Sequence, residues 1–179
     1  MKKIIMIFAV SMFFITSCGS DSNKGKTSEP RKETKEEIHS IIESTEKEVY
    51  GVAPENINQS KAKLLAMYYV KYAAFKDSLA PEYLYKAAGI YMNTGEPRKS
   101  IDALNEIIKD YPSFDKIENC YFLRAYVYDD KMKDFKNAQK YYTEYIDKYP
   151  KGDFSNDAKL LRENLGKSTE QMFEEIEKK

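Results

Sequence analysis

Two octapeptides of this chain close in the same way. Asn105 to Pro112 reads NEIIKDYP and Thr143 to Pro150 reads TEYIDKYP, so one aromatic-proline ending returns after a shift of 38 residues. The match runs backward from the prolines: Tyr111 falls on Tyr149, Ile108 on Ile146, Leu104 on Tyr142 and Ser100 on Ala138. Further upstream Leu84 falls on Tyr121, Ala88 on Ala125 and Tyr91 on Tyr128, a shift of 37, which places one extra residue in the second copy's turn, DDKMKD. A fixed period of this size marks stacked supersecondary units, each too small to bury its own apolar face and each dependent on its neighbours. Nothing else in the chain restricts the fold as strongly.

The units are helical, because their apolar residues recur at i, i+3, i+4 and i+7. A first helix from about Thr34 carries Ile38, Ile41, Ile42 and Thr45, and a second, after Gly51 and Pro54, carries Leu64, Leu65, Tyr68, Tyr72 and Phe75. Pro81 opens a third with Leu84, Ala88 and Tyr91, closed by Gly95, since a proline in the first turn lacks only a donor that has no partner there. A fourth runs from Pro97 through Ile101, Leu104, Ile107 and Ile108 to Tyr111, where Pro112 stops it. Tyr121, Ala125 and Tyr128 mark a fifth, and Phe135, Ala138, Tyr142, Tyr145, Ile146 and Tyr149 mark a sixth that ends at Pro150. Ala158, Leu161 and Leu165 make a seventh, stopped at Gly166, and Ser168 with Gln171 has capping-box spacing ahead of Phe173 and Ile176. Fifteen tyrosines against no tryptophan imply that many of these packing faces carry amphipathic rings.

The pattern resembles the tetratricopeptide repeat: a large residue, a small one four later, an aromatic three after that, a turn glycine, a small residue, an aromatic or leucine, then proline. Leu84, Ala88, Tyr91, Gly95, Ser100, Leu104 and Pro112 fill those slots in repeat 81–112. In repeat 119–150 the slots hold Tyr121, Ala125, Tyr128, Phe135, Ala138, Tyr142 and Pro150, without the turn glycine. The period exceeds the usual ~34 residues. The resemblance implies an all-α fold, a right-handed α-solenoid of helix hairpins, with a degenerate leading pair at 34–76 and capping helices at 155–177.

The N-terminus reads as an address and an anchor. Lys2 and Lys3 precede an apolar run from Ile4 to Ile15, 12 residues long and well short of the ~20 that span a membrane, so it reads as a signal-peptide core over 1–17. Ile15, Thr16, Ser17 and Cys18 resemble the bacterial lipobox, which implies a lipid on Cys18 at the new N-terminus; an ordinary signal peptide with an incidental cysteine is the bland alternative. Residues 18–33 are polar and small, a composition that cannot build a core and predicts a flexible tether with a mean reach of about 20 Å. Cleavage leaves 27 basic against 29 acidic residues, a near-neutral chain with no overall pull toward nucleic acid. With these repeats the chain resembles small envelope lipoproteins of Bacteroidetes, and more distantly the periplasmic partner of the Tol-Pal system and the repeat lipoprotein of the β-barrel assembly machine. By the same analogy Gly19 and Ser20 lack the inner-membrane retention aspartate, and Asp21 alone is a poor match to surface-export signals. The expected location is the outer membrane, facing the periplasm.

No catalytic set is visible. His39 is the only histidine and reads as solvated, and Cys120, the one thiol left for chemistry, reads as a small buried hydrophobe. Asp129, Asp130 and Asp134 lack the glycine and bidentate glutamate of a calcium loop, and no phosphate-binding glycine loop occurs. Lys131, Lys133, Lys136 and Lys140 read as a solvated basic patch. Neither a cofactor nor a metal is expected, nor is the chain expected to be an enzyme.

The resemblance does imply a groove, lined by the first helix of each hairpin. It falls on Tyr85, Gly89 and Met92 in one repeat and on Phe122, Tyr126 and Asp129 in the next, where an extended peptide or helix of an envelope protein would lie. The alternative for these rings is packing on the adjacent hairpin. The expected function is thus a lipid-anchored adaptor for envelope proteins or peptides; the alternative is a lipoprotein that binds a small ligand, a glycan or a peptide.

Overall fold

Thr34 begins the helical part through its side chain. Its hydroxyl accepts from the backbone N–H of Glu37 at 3.2 Å, and the Glu37 carboxylate accepts from the backbone N–H of Thr34 at 2.9 Å. This reciprocal box starts α1, Lys35–Tyr50. The computed structural model describes residues 31–167 and residue 171, so the signal segment 1–17, Cys18, most of the tether, Ser168, Phe173 and Ile176 lie outside the described residues. The chain from Glu33 onward forms a unit of its own.

After a single 3₁₀ turn at Pro54–Asn56 come α2 (Gln59–Ala73), α3 (Ala80–Asn93), α4 (Pro97–Asp110), α5 (Ile117–Tyr126), α6 (Phe135–Lys148) and α7 (Ser155–Glu163). Each helix packs on its neighbours in sequence. The described residues are all-α, a solenoid of helix hairpins, with no strand among them.

The two sign-offs fold alike. Tyr111 at φ −132°, ψ 56° and Tyr149 at φ −128°, ψ 62° cap α4 and α6 with one backbone conformation. Both are followed by the same pair of turns: Phe114 N–H to Tyr111 O and Ile117 N–H to Phe114 O match Gly152 N–H to Tyr149 O and Ser155 N–H to Gly152 O, all at 3.0 Å. Each proline bars its helix from continuing, and the two turns hand the chain to the next hairpin. Gly152 has a further reason to be small, since a Cβ there would sit 2.2 Å from a Glu118 oxygen and 2.8 Å from the Tyr145 hydroxyl.

The extra residue of the second repeat is taken up as a widened helical turn that overlaps the start of the DDKMKD segment. Val127–Lys131 forms a π-helical turn that extends α5, with Met132 N–H donating to Val127 O at 3.1 Å, five residues back. The missing turn glycine is also accounted for: Lys133 takes φ +53°, the left-handed conformation that Gly95 adopts at φ +78°.

On α2 the buried face differs from the expected stripe. Ala62, Leu65, Ala66, Tyr69, Tyr72 and Ala73 are buried, whereas Leu64 and Phe75 are 43% and 40% exposed. The alanines let α1 and α3 approach closely, so the face is set by small residues that a search for large ones overlooks. On α1, Val49 joins Ile38, Ile42 and Thr45 in the core while Ile41 is only half-buried.

Buried tyrosines hold the layers together by donating to carboxylates. The Tyr69 hydroxyl on α2 donates to Glu46 on α1 at 2.5 Å, Tyr72 to Asp77 at 2.8 Å, and Tyr145 on α6 to Glu118 on α5 at 2.5 Å while accepting from Phe154 N–H at 3.0 Å. The ring fills the core and the hydroxyl is not left unpaired, a loss of roughly 1–3 kcal/mol if it were.

Candidate partner-binding surface

On α3, Tyr85, Gly89 and Met92 follow one another at i, i+4 and i+7 and so share a face. A Cβ added at Gly89 would meet nothing within 4 Å among the described residues. The glycine opens onto a cleft of about 300 Å³ between α3, the C-terminal end of α1 and the start of α2. Val49, Ile57, Ala62 and Ile90 give it an apolar lining; Tyr50, Asn93 and Thr94 complete it with the Lys86 side chain. The Lys86 ammonium lies 2.9 Å from Glu46, the carboxylate that also accepts from Tyr69. Burial works to raise the pKa of Glu46, but the hydrogen bonds from Tyr69 and Lys86 outweigh it, and the net shift is downward. Lys86 is thereby fixed along the side of the cleft.

Tyr85 is half-buried, edge-on to Phe114 at 6.0 Å, with the Lys116 ammonium 5.3 Å from its ring centre and 2.6 Å from Glu82. Met92 is half-buried as well. Of the α3 trio, Gly89 lines the cleft, Tyr85 is held in an aromatic contact with Phe114, and neither Tyr85 nor Met92 is among the lining residues.

The α5 trio behaves differently. Phe122 stacks on Phe154 with ring centres 4.6 Å apart and planes 18° from parallel, and its other neighbours are Tyr126, Tyr142 and Tyr145. A partner reaching this ring would have to displace the segment that leads into α7. The Tyr126 hydroxyl donates to Asp130 at 3.3 Å. Asp129 accepts from Tyr142 at 3.3 Å, and burial raises its pKa above the ordinary aspartate value. Among the described residues no ring contact or hydrogen bond joins the α3 trio to the α5 trio.

Arg124 goes unnoticed in the sequence. It is 6% exposed, donates to Asn105 at 3.0 Å, lies 2.9 Å from Glu144, and stacks with its guanidinium carbon 4.1 Å from the Tyr141 ring centre. By the repeat shift it takes the place of Ala87, and a charge in a slot otherwise held by alanine is the signal that could have found it.

The remaining chemistry-bearing residues have structural surroundings. Cys120 is fully buried, which pushes its thiol up to about 12 and keeps it protonated. His39 is less solvated than its flanking position implies: its ring lies 5.7 Å from Tyr72 and 6.4 Å from Tyr83, beside Glu43 at 3.6 Å. Asp134 caps α6 by accepting from Asn137 N–H at 3.2 Å, and Asp130 pairs with Lys131 at 2.7 Å and Lys133 at 3.5 Å. No group of three or more His, Cys, Asp or Glu among the described residues could hold a metal ion, and no described helix is long and apolar enough to cross a membrane.

The sequence model of the tetratricopeptide repeat family matches residues 82–113 and 119–152, the α3–α4 and α5–α6 hairpins with their closing turns. No curated protein and no solved structure matches the chain.

Proposed function

We propose that these repeats serve a non-enzymatic adaptor of a bacterial cell envelope, anchored by a lipid on Cys18 and receiving a segment of a partner protein in the cleft beside Gly89. Tetratricopeptide repeats imply protein partners in general. The observation that carries the finer reading is the glycine itself. In mid-helix it costs about 1 kcal/mol relative to alanine, yet nothing among the described residues uses the space it leaves. An apolar side chain of an extended partner fits a cleft lined by Val49, Ile57 and Ile90, with Tyr85 and Met92 on the same face of α3 as Gly89 within reach of the rest of that partner. The lipobox-like run before Cys18 supports the anchor, and the absence of a second-position aspartate favours the outer membrane, periplasmic side.

Photo-crosslinking from positions 85 and 92 in the native envelope, followed by mass spectrometry, tests the adaptor. Capture of one reproducible protein that disappears in Gly89→Leu supports it; a glycan retained by the purified protein, with no protein captured, refutes it. Cys18→Ala should release the protein from membranes, and continued retention would refute the anchor.

A further inference from the structure

The outward face of α2 is unlike that of the other second helices. Leu64, Met67 and Val70 are 43%, 46% and 37% exposed, and helical spacing puts Leu64 and Met67 along one stripe, flanked by Val70, opposite the buried face of Leu65, Tyr69 and Tyr72; Phe75, 40% exposed, lies in the turn just beyond the helix. The exposed positions of α4 are Arg98, Lys99, Asp102, Lys109 and Asp110, and those of α6 are mostly lysine, glutamine and aspartate. An apolar stripe on an otherwise polar outer surface marks a contact.

What covers it follows from where the tether joins. Glu33, the first residue of the folded unit, pairs with Lys71 in the middle of the stripe and lies 3.5 Å from the Tyr68 hydroxyl. The chain thus enters the domain on the face that bears the stripe. The 14 residues from Gly19 to Lys32 are too polar to cover an apolar face themselves, and their composition predicts a coil reaching about 20 Å. We propose that α2 lies against the lipid surface in which the Cys18 lipid is embedded, with Leu64 and Met67, and Phe75 just beyond the helix, seated at the boundary between headgroups and acyl chains. The inference rests on the lipid-anchor reading. An interfacial helix of this kind needs only a shallow apolar face once a lipid holds it near the membrane. The lysines of α2 are already paired, Lys61 with Glu48, Lys63 with Glu96 and Lys71 with Glu33, so the contact depends little on anionic lipid or on salt.

The chain contains no tryptophan, so one introduced indole reports alone. Acylated full-length protein carrying Leu64→Trp or Met67→Trp is reconstituted on phosphatidylcholine vesicles, with Asp102→Trp on α4 as the control. The expected result is a blue-shifted emission at 64 and 67, at least twofold quenching by brominated lipid, and neither effect at 102. Flotation with the vesicles but unquenched emission at 64 overturns this inference and leaves the anchor standing; failure to float removes both. A blue shift that grows with protein concentration in the absence of vesicles overturns it in favour of a second copy on the stripe.

Discussion

Gly89 and Gly95 make a matched pair on which the reasoning stands or falls. A Cβ added at either meets nothing within 4 Å among the described residues, so no steric term separates them. Their backbones do. Gly89 lies inside α3, where alanine is favoured by about 1 kcal/mol. Gly95 sits at φ +78°, where an L side chain costs roughly 1–2 kcal/mol. Gly89→Ala should raise the free energy of unfolding by about 1 kcal/mol and the melting temperature by about 2–4 °C in a chain of this length, while Gly95→Ala lowers stability by a similar or larger amount. Urea titration followed by far-ultraviolet circular dichroism measures both, with the slope of the transition checked for constancy. A Gly89→Ala protein no more stable than wild type would refute the open-space description of the cleft. Gly89→Leu carries the argument to function: its Cβ starts in open space beside a cleft of about 300 Å³, so the protein should stay folded and lose its crosslinked partner.

Other substitutions probe other parts of the solenoid. Lys133→Gly relieves a left-handed lysine at φ +53° and should stabilise by about 0.5–1 kcal/mol in the same titration. The folded-state pKa of Glu46 lies below the ordinary value of 4.5, so its contribution is present above that value and lost as pH falls through the folded one; the stability gap between wild type and Glu46→Gln should shrink as pH falls below about 4.5, and a constant gap would contradict the Tyr69–Lys86 network. Arg124→Ala removes the stack on Tyr141 and the bond to Asn105 and should cost about 1–3 kcal/mol, whereas Lys140→Ala, an exposed lysine of the same hairpin, should stay within about 0.5 kcal/mol. Gly152→Ala drives a Cβ against Glu118 and the Tyr145 hydroxyl and should cost about 1–3 kcal/mol by unfolding assay.

The parts of the fold legible in sequence are those set by strong local rules. Prolines 112 and 150 stop helices because they must, and Leu104, Ile107, Tyr142 and Tyr145 fall inward because large apolar residues at helical spacing have one place to go. The α2 face was illegible for the converse reason: Ala62, Ala66 and Ala73 are buried while larger residues stay outside, and size alone misplaces the stripe. The one-residue surplus was visible as a change of shift, but a shift cannot say whether the surplus enlarges a loop or widens a helical turn. Of the groove positions, periodicity places Tyr85, Gly89 and Met92 on one face. It cannot foresee that Phe154, 32 residues along the chain, lies on Phe122, because that contact belongs to the stacking of whole hairpins.

The π-turn at 127–131 also bears on how much the length of such a repeat can vary. A residue added to a plain α-helix swings everything beyond it by about 100°. Here the added residue is taken up as one broad turn, and α6 presents Ala138, Tyr142 and Tyr145 at the positions where α4 presents Ser100, Leu104 and Ile107. The end of α5 works as slack in the array: the hairpin is longer, and the stacking beyond it keeps step.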